Sequence, residues 1–222
     1  MGKSFYSSIL VIIGTALLLF SCKSVPAERP DPGVAKTVPE ISVQPDPPAE
    51  APLRPQSPEF IMGTGKVSTE KLVIFLARHN PEVDRSFIQE LAVFYLEEAD
   101  AEGVNHDIAF AQMCLETGFL GYGGLVTPEM NNFCGLGAIG PGQRGAAFPD
   151  PRTGVRAHIQ HLKAYASEEP LNQAVVDPRY RWVRYGSAPT IHDLSGKWAA
   201  DLAYSEKIMS ILWRLYDLSF NG

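Results

Sequence analysis

Two polar side chains interrupt an otherwise apolar run, Ile108-Ala-Phe-Ala-Gln112-Met-Cys-Leu-Glu116. Gln112 and Glu116 are four residues apart, so on a helix they share one face. A helix that is apolar nearly all round lies at the centre of its domain. A carboxyl carried into such surroundings without a partner raises its pKa and takes up a proton. A carboxyl kept protonated near neutral pH is what a general acid must be. Thr117-Gly118 ends the run, which sets Glu116 where the helix opens into a Gly-rich segment. Bond cleavage in a loop-walled cleft is the chemistry this placement suggests. A Glu held in a structural hydrogen-bond network is the competing reading.

The elements that must hold this helix are themselves helical. Ser68 or Thr69 can cap a first helix, to about Arg78, which Asn80-Pro81 stops. Ser86 followed by Gln89 has the form of a capping box. The helix behind it aligns Ile88, Leu91, Tyr95 and Ala99, and Gly103 ends it. Asn105 or Asp107 can cap the helix of Gln112 and Glu116. Residues 121–154 are rich in Gly and Pro and show no strand alternation. Val155, Ile159, Leu162 and Ala166 mark a fourth helix. A mixed segment, 168–200, precedes a last helix with Ile208, Ile211, Leu212, Leu215 and Leu218. The pattern predicts an all-α domain over 67–222 with little or no β-lobe.

The order of these blocks is similar to a known family. Ile108 to Gly118 resembles the catalytic helix of the lysozyme-like glucosaminidases, family 73 of the glycoside hydrolases, related to mannosyl-glycoprotein endo-β-N-acetylglucosaminidases. Asn131-Asn132-Phe133-Cys134-Gly135 resembles the family's Asn-Asn-aromatic loop. Thr153 to Ala166 resembles the helix behind the cleft. Trp198-Ala-Ala-Asp-Leu-Ala-Tyr204 to Ile208 resembles the Tyr-containing start of the last helix. The resemblance implies hydrolysis of β-1,4 bonds after N-acetylglucosamine, most often in peptidoglycan. It implies Glu116 as general acid, Tyr204 as an aromatic lining the cleft near it, and Asn132 and Phe133 as the loop against the Glu helix. Gln112, Trp198 and Tyr185 join Asn132, Phe133 and Tyr204 as substrate-binding candidates. The usual Asp-Pro-x-Tyr is Asp201-Leu-Ala-Tyr204 here. A short Gly/Pro connection, 138–152, stands where many relatives carry a lobe with a second acid.

Two carboxyls about 5 Å apart imply retention, and about 6.5–9.5 Å apart inversion. The local acids are Asp150 and Glu129. Asp150 lies between two prolines, as a turn residue does, and is kept as the candidate second carboxyl ahead of Glu129. A third route uses the substrate's own N-acetyl oxygen. A lytic transglycosylase of the same fold and a non-catalytic glycan-binding lipoprotein are the other function classes. Arg179-Tyr-Arg-Trp-Val-Arg-Tyr185 offers flat faces and guanidinium groups for an anionic glycan, but packing plus solvated charge accounts for it first. His158 and His161 have no third ligand, so structural histidines are expected, with no metal or cofactor. Cys114 lies nearly opposite Glu116 on the helix. Pairing it with Cys134 would drag the Asn-Asn segment to the back face, so two unpaired thiols are expected.

The first 66 residues read as address and tether. Lys3 precedes an apolar run, Ile9 to Phe20, too short for a membrane span but fit for a secretory signal over 1–21. Leu19-Phe20-Ser21-Cys22 resembles a bacterial lipobox, with Cys22 as the lipidated residue and a membrane as partner. Between Lys23 and Pro58 lie 10 prolines in 36 residues, a density that no helix or central strand survives. A semi-rigid linker over 22–66 is expected. The expected location is the extracytoplasmic side of a bacterial envelope membrane. The formal net charge is −6, and charged residues are 20% of the chain. That balance excludes a basic nucleic-acid binder, and the hydrophobic fraction of 45% excludes a wholly disordered chain. A monomer acting on glycan strands is expected.

Overall fold

Side-chain caps fix where the helices begin. The structure is a computed structural model that describes residues 58–138, 140 and 144–221. The signal segment, Cys22 and the linker as far as residue 57 lie outside the described residues. The helices are α1 (Thr69–His79), α2 (Arg85–Glu102), α3 (His106–Thr117), α4 (Pro151–Ala166) and α5 (Tyr204–Phe220). The described residues contain no strand, only isolated bridges. The domain is all-α, as its periodicity predicts.

Ser68 accepts from Lys71 N at the start of α1, and Asn105 accepts from Asp107 N and Ile108 N at the start of α3. α2 departs from the expected capping box. Its cap is Asp84, which accepts from Ser86 N and Phe87 N. Asp107 caps nothing. It is fully buried, and its carboxylate accepts from Lys66 N at 2.7 Å, Val67 N at 3.1 Å and the Tyr216 hydroxyl at 2.9 Å.

That contact moves the edge of the folded unit. Residues 59–66 belong to the fold and not to a linker. Ile61 is fully buried; its N–H donates to Pro189 O and its carbonyl accepts from Asn105 N. Ile191 N donates to Glu59 O, and Gly63 N to Gly103 O. The apolar triplet Phe60-Ile61-Met62 drives this docking. Burying an Ile side chain stabilises by roughly 1.5–3 kcal/mol.

α3 is the axis of the domain. Every residue from Asp107 to Cys114 is buried, and the helix packs against α2, α4 and α5. A buried ion pair ties α2 to α4: Lys163 Nζ lies 3.0 Å from Glu102 Oε2. The same carboxylate accepts from Asn172 N and Gln173 N, so three donors hold its charge.

The exit of α3 is unusual backbone. Gly118 ends the helix in the left-handed region, and Phe119, Leu120 and Tyr122 follow with φ of 56°, 62° and 52°. Each non-Gly residue there costs on the order of 1–2 kcal/mol. Local contacts offset the strain. Thr117 Oγ1 donates to Met113 O and accepts from Leu120 N. Phe119 stacks on His79, and its carbonyl accepts from Asn80 Nδ2. The Thr-Gly after Glu116 thus bends the chain away at once and leaves the carboxyl at an open end.

Candidate active site

Glu116 stands on the last turn of α3 and lines a cavity of about 430 Å³. The walls include Tyr122, Leu125 and Val126 from the segment after α3, and Gly135 and Ala138 from the Asn-Asn loop. That volume suits a small-molecule or sugar site. Among the described residues that line it, Glu116 is the one carboxylic acid.

The two carboxyl oxygens have different surroundings. Oε1 accepts from Trp198 Nε1 at 3.1 Å and from the Tyr204 hydroxyl. Oε2 has no hydrogen bond among the described residues and faces Gly135, whose ideal Cβ position lies 3.5 Å away. When Glu116 is protonated, the proton therefore belongs on Oε2, the oxygen no donor occupies. Burial raises the Glu116 pKa, and the hydrogen bonds from Tyr204 and Trp198 pull it partly back.

Behind Oε1 runs a line of buried groups. Gln112 Nε2 donates to the Tyr204 hydroxyl at 2.8 Å. Gln112 Oε1 meets His158 Nε2 at 3.0 Å, and His158 Nδ1 meets the Tyr95 hydroxyl at 2.9 Å. An ionised carboxylate only accepts, which fixes every donor in turn. Tyr204 donates to Glu116, Gln112 to Tyr204, His158 Nε2–H to Gln112, and Tyr95 to His158 Nδ1. Burial, reinforced by His161, pushes the His158 pKa down to about 3, so its imidazole is neutral and keeps this tautomer. Burial also raises the hydroxyl pKa of Tyr204 and of Tyr95, which preserves both as donors.

α4 braces the other donor. His158, His161 and Tyr165 present one face of that helix, and their rings lie 5.9, 5.0 and 5.5 Å from the Trp198 ring. His161 is itself held by Asp177, with Nδ1 to Oδ2 at 2.8 Å. The indole N–H is thereby aimed at Glu116.

These contacts make a pH prediction. Tyr204→Phe removes a donor that favours the carboxylate, so the Glu116 pKa rises further. The alkaline limb of the kcat/KM profile is expected to move to higher pH in this variant. An unmoved limb would mean that Tyr204 does not set the acid's pKa.

The sequence model of the family described as mannosyl-glycoprotein endo-beta-N-acetylglucosaminidase matches residues 92–217. This chain belongs to that glucosaminidase family. Its domain is that of a glycan hydrolase. The matched span contains the whole set from Tyr95 to Tyr204. The chain is also similar to an uncharacterized protein of Borreliella burgdorferi, 46% identical over 158 residues, 71% of this chain and 78% of that protein. No solved structure matches.

Several expected glucosaminidase site residues have different places. Glu116, Tyr204 and Trp198 come together. Gln112 is fully buried with its amide shared between Tyr204 and His158, so it positions the acid's partner and touches no ligand. Phe133 is buried in the core and offers no free face. Asn132 is buried, and its amide organises the loop through Leu136 N, Leu136 O and Ala146 O. Tyr185 packs on Tyr180 and lines neither this cavity nor its neighbour beyond Gly135.

Asp150 is a helix cap. It accepts from Thr153 N and the Thr153 hydroxyl at the start of α4, with Pro151 in the first helical position. The Thr153 N–H holds its pKa below the usual value, and it does not line the cavity. A catalytic role for Asp150 is therefore set aside. Burial, with a smaller contribution from the charge of Glu129, raises the Tyr122 hydroxyl pKa to about 12, and Glu129 does not line the cavity. Cys114 and Cys134 are separate buried thiols, as their placement relative to Glu116 predicts.

Tyr95, His158 and Thr117 were missed as functional partners. Only the Thr-Gly after Glu116 carried a signal for any of them.

Proposed function

We propose that this chain hydrolyses the β-1,4 bond after N-acetylglucosamine in bacterial peptidoglycan, with Glu116 as general acid. The observation that carries this reading is the divided carboxyl: Oε1 held by Tyr204 and Trp198, Oε2 unoccupied beside the cavity. The Oε2 proton passes to the glycosidic oxygen as the bond to the anomeric carbon breaks. Tyr204 and Trp198 then stabilise the new carboxylate. With one acid lining the cavity, the substrate's N-acetyl oxygen is the nucleophile this reading favours. It bonds to the anomeric carbon; water then opens that ring and returns a proton to Glu116. The apolar leader, Cys22 and the Pro-rich segment support a lipid-anchored protein whose domain works on the extracytoplasmic side of the envelope.

The single lining acid also favours a second reading, a lytic transglycosylase. The test is mass spectrometry of peptidoglycan digested by the full-length protein beside its Glu116→Gln variant. Products reducing at N-acetylglucosamine, absent with the variant, are expected. Anhydro ends would establish the transglycosylase, and no release by the wild type would sink both enzymes.

A further inference from the structure

A second cavity, of about 170 Å³, shares Gly135 and Ala138 with the first. It lies across Gly135 from Glu116, whose Oε2 faces that glycine. It is the smaller of the two and can take a substituent of a sugar bound in the first. Trp198, Tyr165, His161 and Arg179 contribute its side-chain walls.

Arg179 is the decisive group. Its side chain passes Gly137, with Cδ 3.8 Å from that residue's ideal Cβ position. Its positive charge acts on the Tyr165 hydroxyl, another wall residue. The guanidinium has no hydrogen bond or ion pair among the described residues, while Arg152 and Arg156 are both paired with Glu98. Asp177 holds the arrangement from behind. Its Oδ1 accepts from Arg179 N at 2.7 Å, and its Oδ2 binds His161 Nδ1 at 2.8 Å. Both carboxylate oxygens of Asp177 are thus engaged away from the guanidinium.

We propose that this second cavity is a subsite for a carboxylate carried by the sugar next to the cleaved bond, with Arg179 as the binding cation. The inference rests on the glucosaminidase reading and deepens it: the enzyme selects an acid-bearing glycan over a neutral one. A guanidinium receives a carboxylate through paired N–H donors, a fit that an amide in the same place lacks. Trp198 joins the two cavities, one edge donating to Glu116 and one face walling the acid subsite.

The test compares peptide-free peptidoglycan glycan strands with the same strands after carbodiimide amidation of their carboxyls. Full-length wild type, Arg179→Gln and Arg179→Lys are assayed on both. For the wild type, amidation is expected to raise KM by about 10- to 100-fold with little change in kcat, the range for a hydrogen bond to a charged group. Arg179→Gln should raise KM equally on acidic strands and no longer distinguish the two. Arg179→Lys should recover part of the distinction. Equal KM values of the wild type for both strands, or a uniform loss of kcat in Arg179→Gln, would overturn the subsite while leaving the hydrolase in place. Cleavage of neither strand by the wild type would instead remove the hydrolase reading and this inference with it.

Discussion

Glu116→Gln is expected to lower the rate of glycan cleavage by about 10³-fold or more while leaving the protein folded and, at neutral pH, more stable than the wild type. The rate effect follows from loss of the proton on Oε2, since general acid catalysis contributes roughly 10²- to 10⁴-fold. An amide still accepts from Tyr204 and Trp198 through its oxygen, so the supports of Oε1 survive. The stability effect follows from linkage. Burial raises the folded-state pKa of Glu116 above 4.5. Its contribution is fully present below the unfolded pKa and is lost as pH rises through the folded one. Gln has no ionisation to lose. The gap between variant and wild type should therefore widen as pH rises from 4.5 through the raised pKa and stay constant above it. Urea denaturation across that range, beside the rate assay, measures both. A variant less stable than the wild type at pH 8 would mean that the carboxylate is welcome in the fold, and the acid assignment would lose its physical basis.

The fold was legible because its signals are local. Ser68, Asn105 and the left-handed Gly103 and Gly118 mark helix ends through contacts within a few residues. Asp150 was legible too, as a turn residue between two prolines. Asp-Pro-x-Thr carries every feature of a helix start: a capping acid, Pro in the first turn and an N–H three residues on. The docking of 59–62 was masked by neighbouring prolines, although Phe60-Ile61-Met62 is a short apolar run of the kind that seeks a surface.

The site was legible in its acid and not in the acid's supports. Burial around Ile108 to Leu115 singled out Glu116, and the resemblance added Tyr204 and Trp198. Which way a polar neighbour faces is a tertiary fact. Gln112 shares the face of Glu116, yet that face meets α5 and α4 at Gln112 and opens only one turn later. Asn132 and Phe133 sit in the right loop but look inward. The Tyr95–His158 contact joins residues 63 apart, and no periodicity reports it. The role of His158 as a neutral link in a donor chain needed its partners in view.

Gly154→Ala is expected to destabilise the protein by about 3 kcal/mol or more, although alanine is the better helix former by roughly 1 kcal/mol. The reason is contact and not conformation, because Gly154 lies inside α4 with ordinary helical backbone. A Cβ built there falls 1.8 Å from the carbonyl oxygen of Asn131 and 3.3 Å from the Phe133 ring. The first neighbour is backbone and cannot swing aside. Relief requires the whole Asn131–Phe133 segment to lift from α4. That segment is pinned by Asn131 Nδ2 to Phe148 O and by the Asn132 amide, and it carries Gly135 onto Glu116 Oε2. Activity should therefore fall with stability, with Tm lower by about 6–12 °C at roughly 2–4 °C per kcal/mol. The wild type is the reference for both measurements. A Gly154→Ala protein as stable and active as the wild type would show that the loop can ride up freely. The close approach of α4 to the Asn-Asn loop would then have no part in holding the cleft, and the placement of Gly135 beside the acid would need another support.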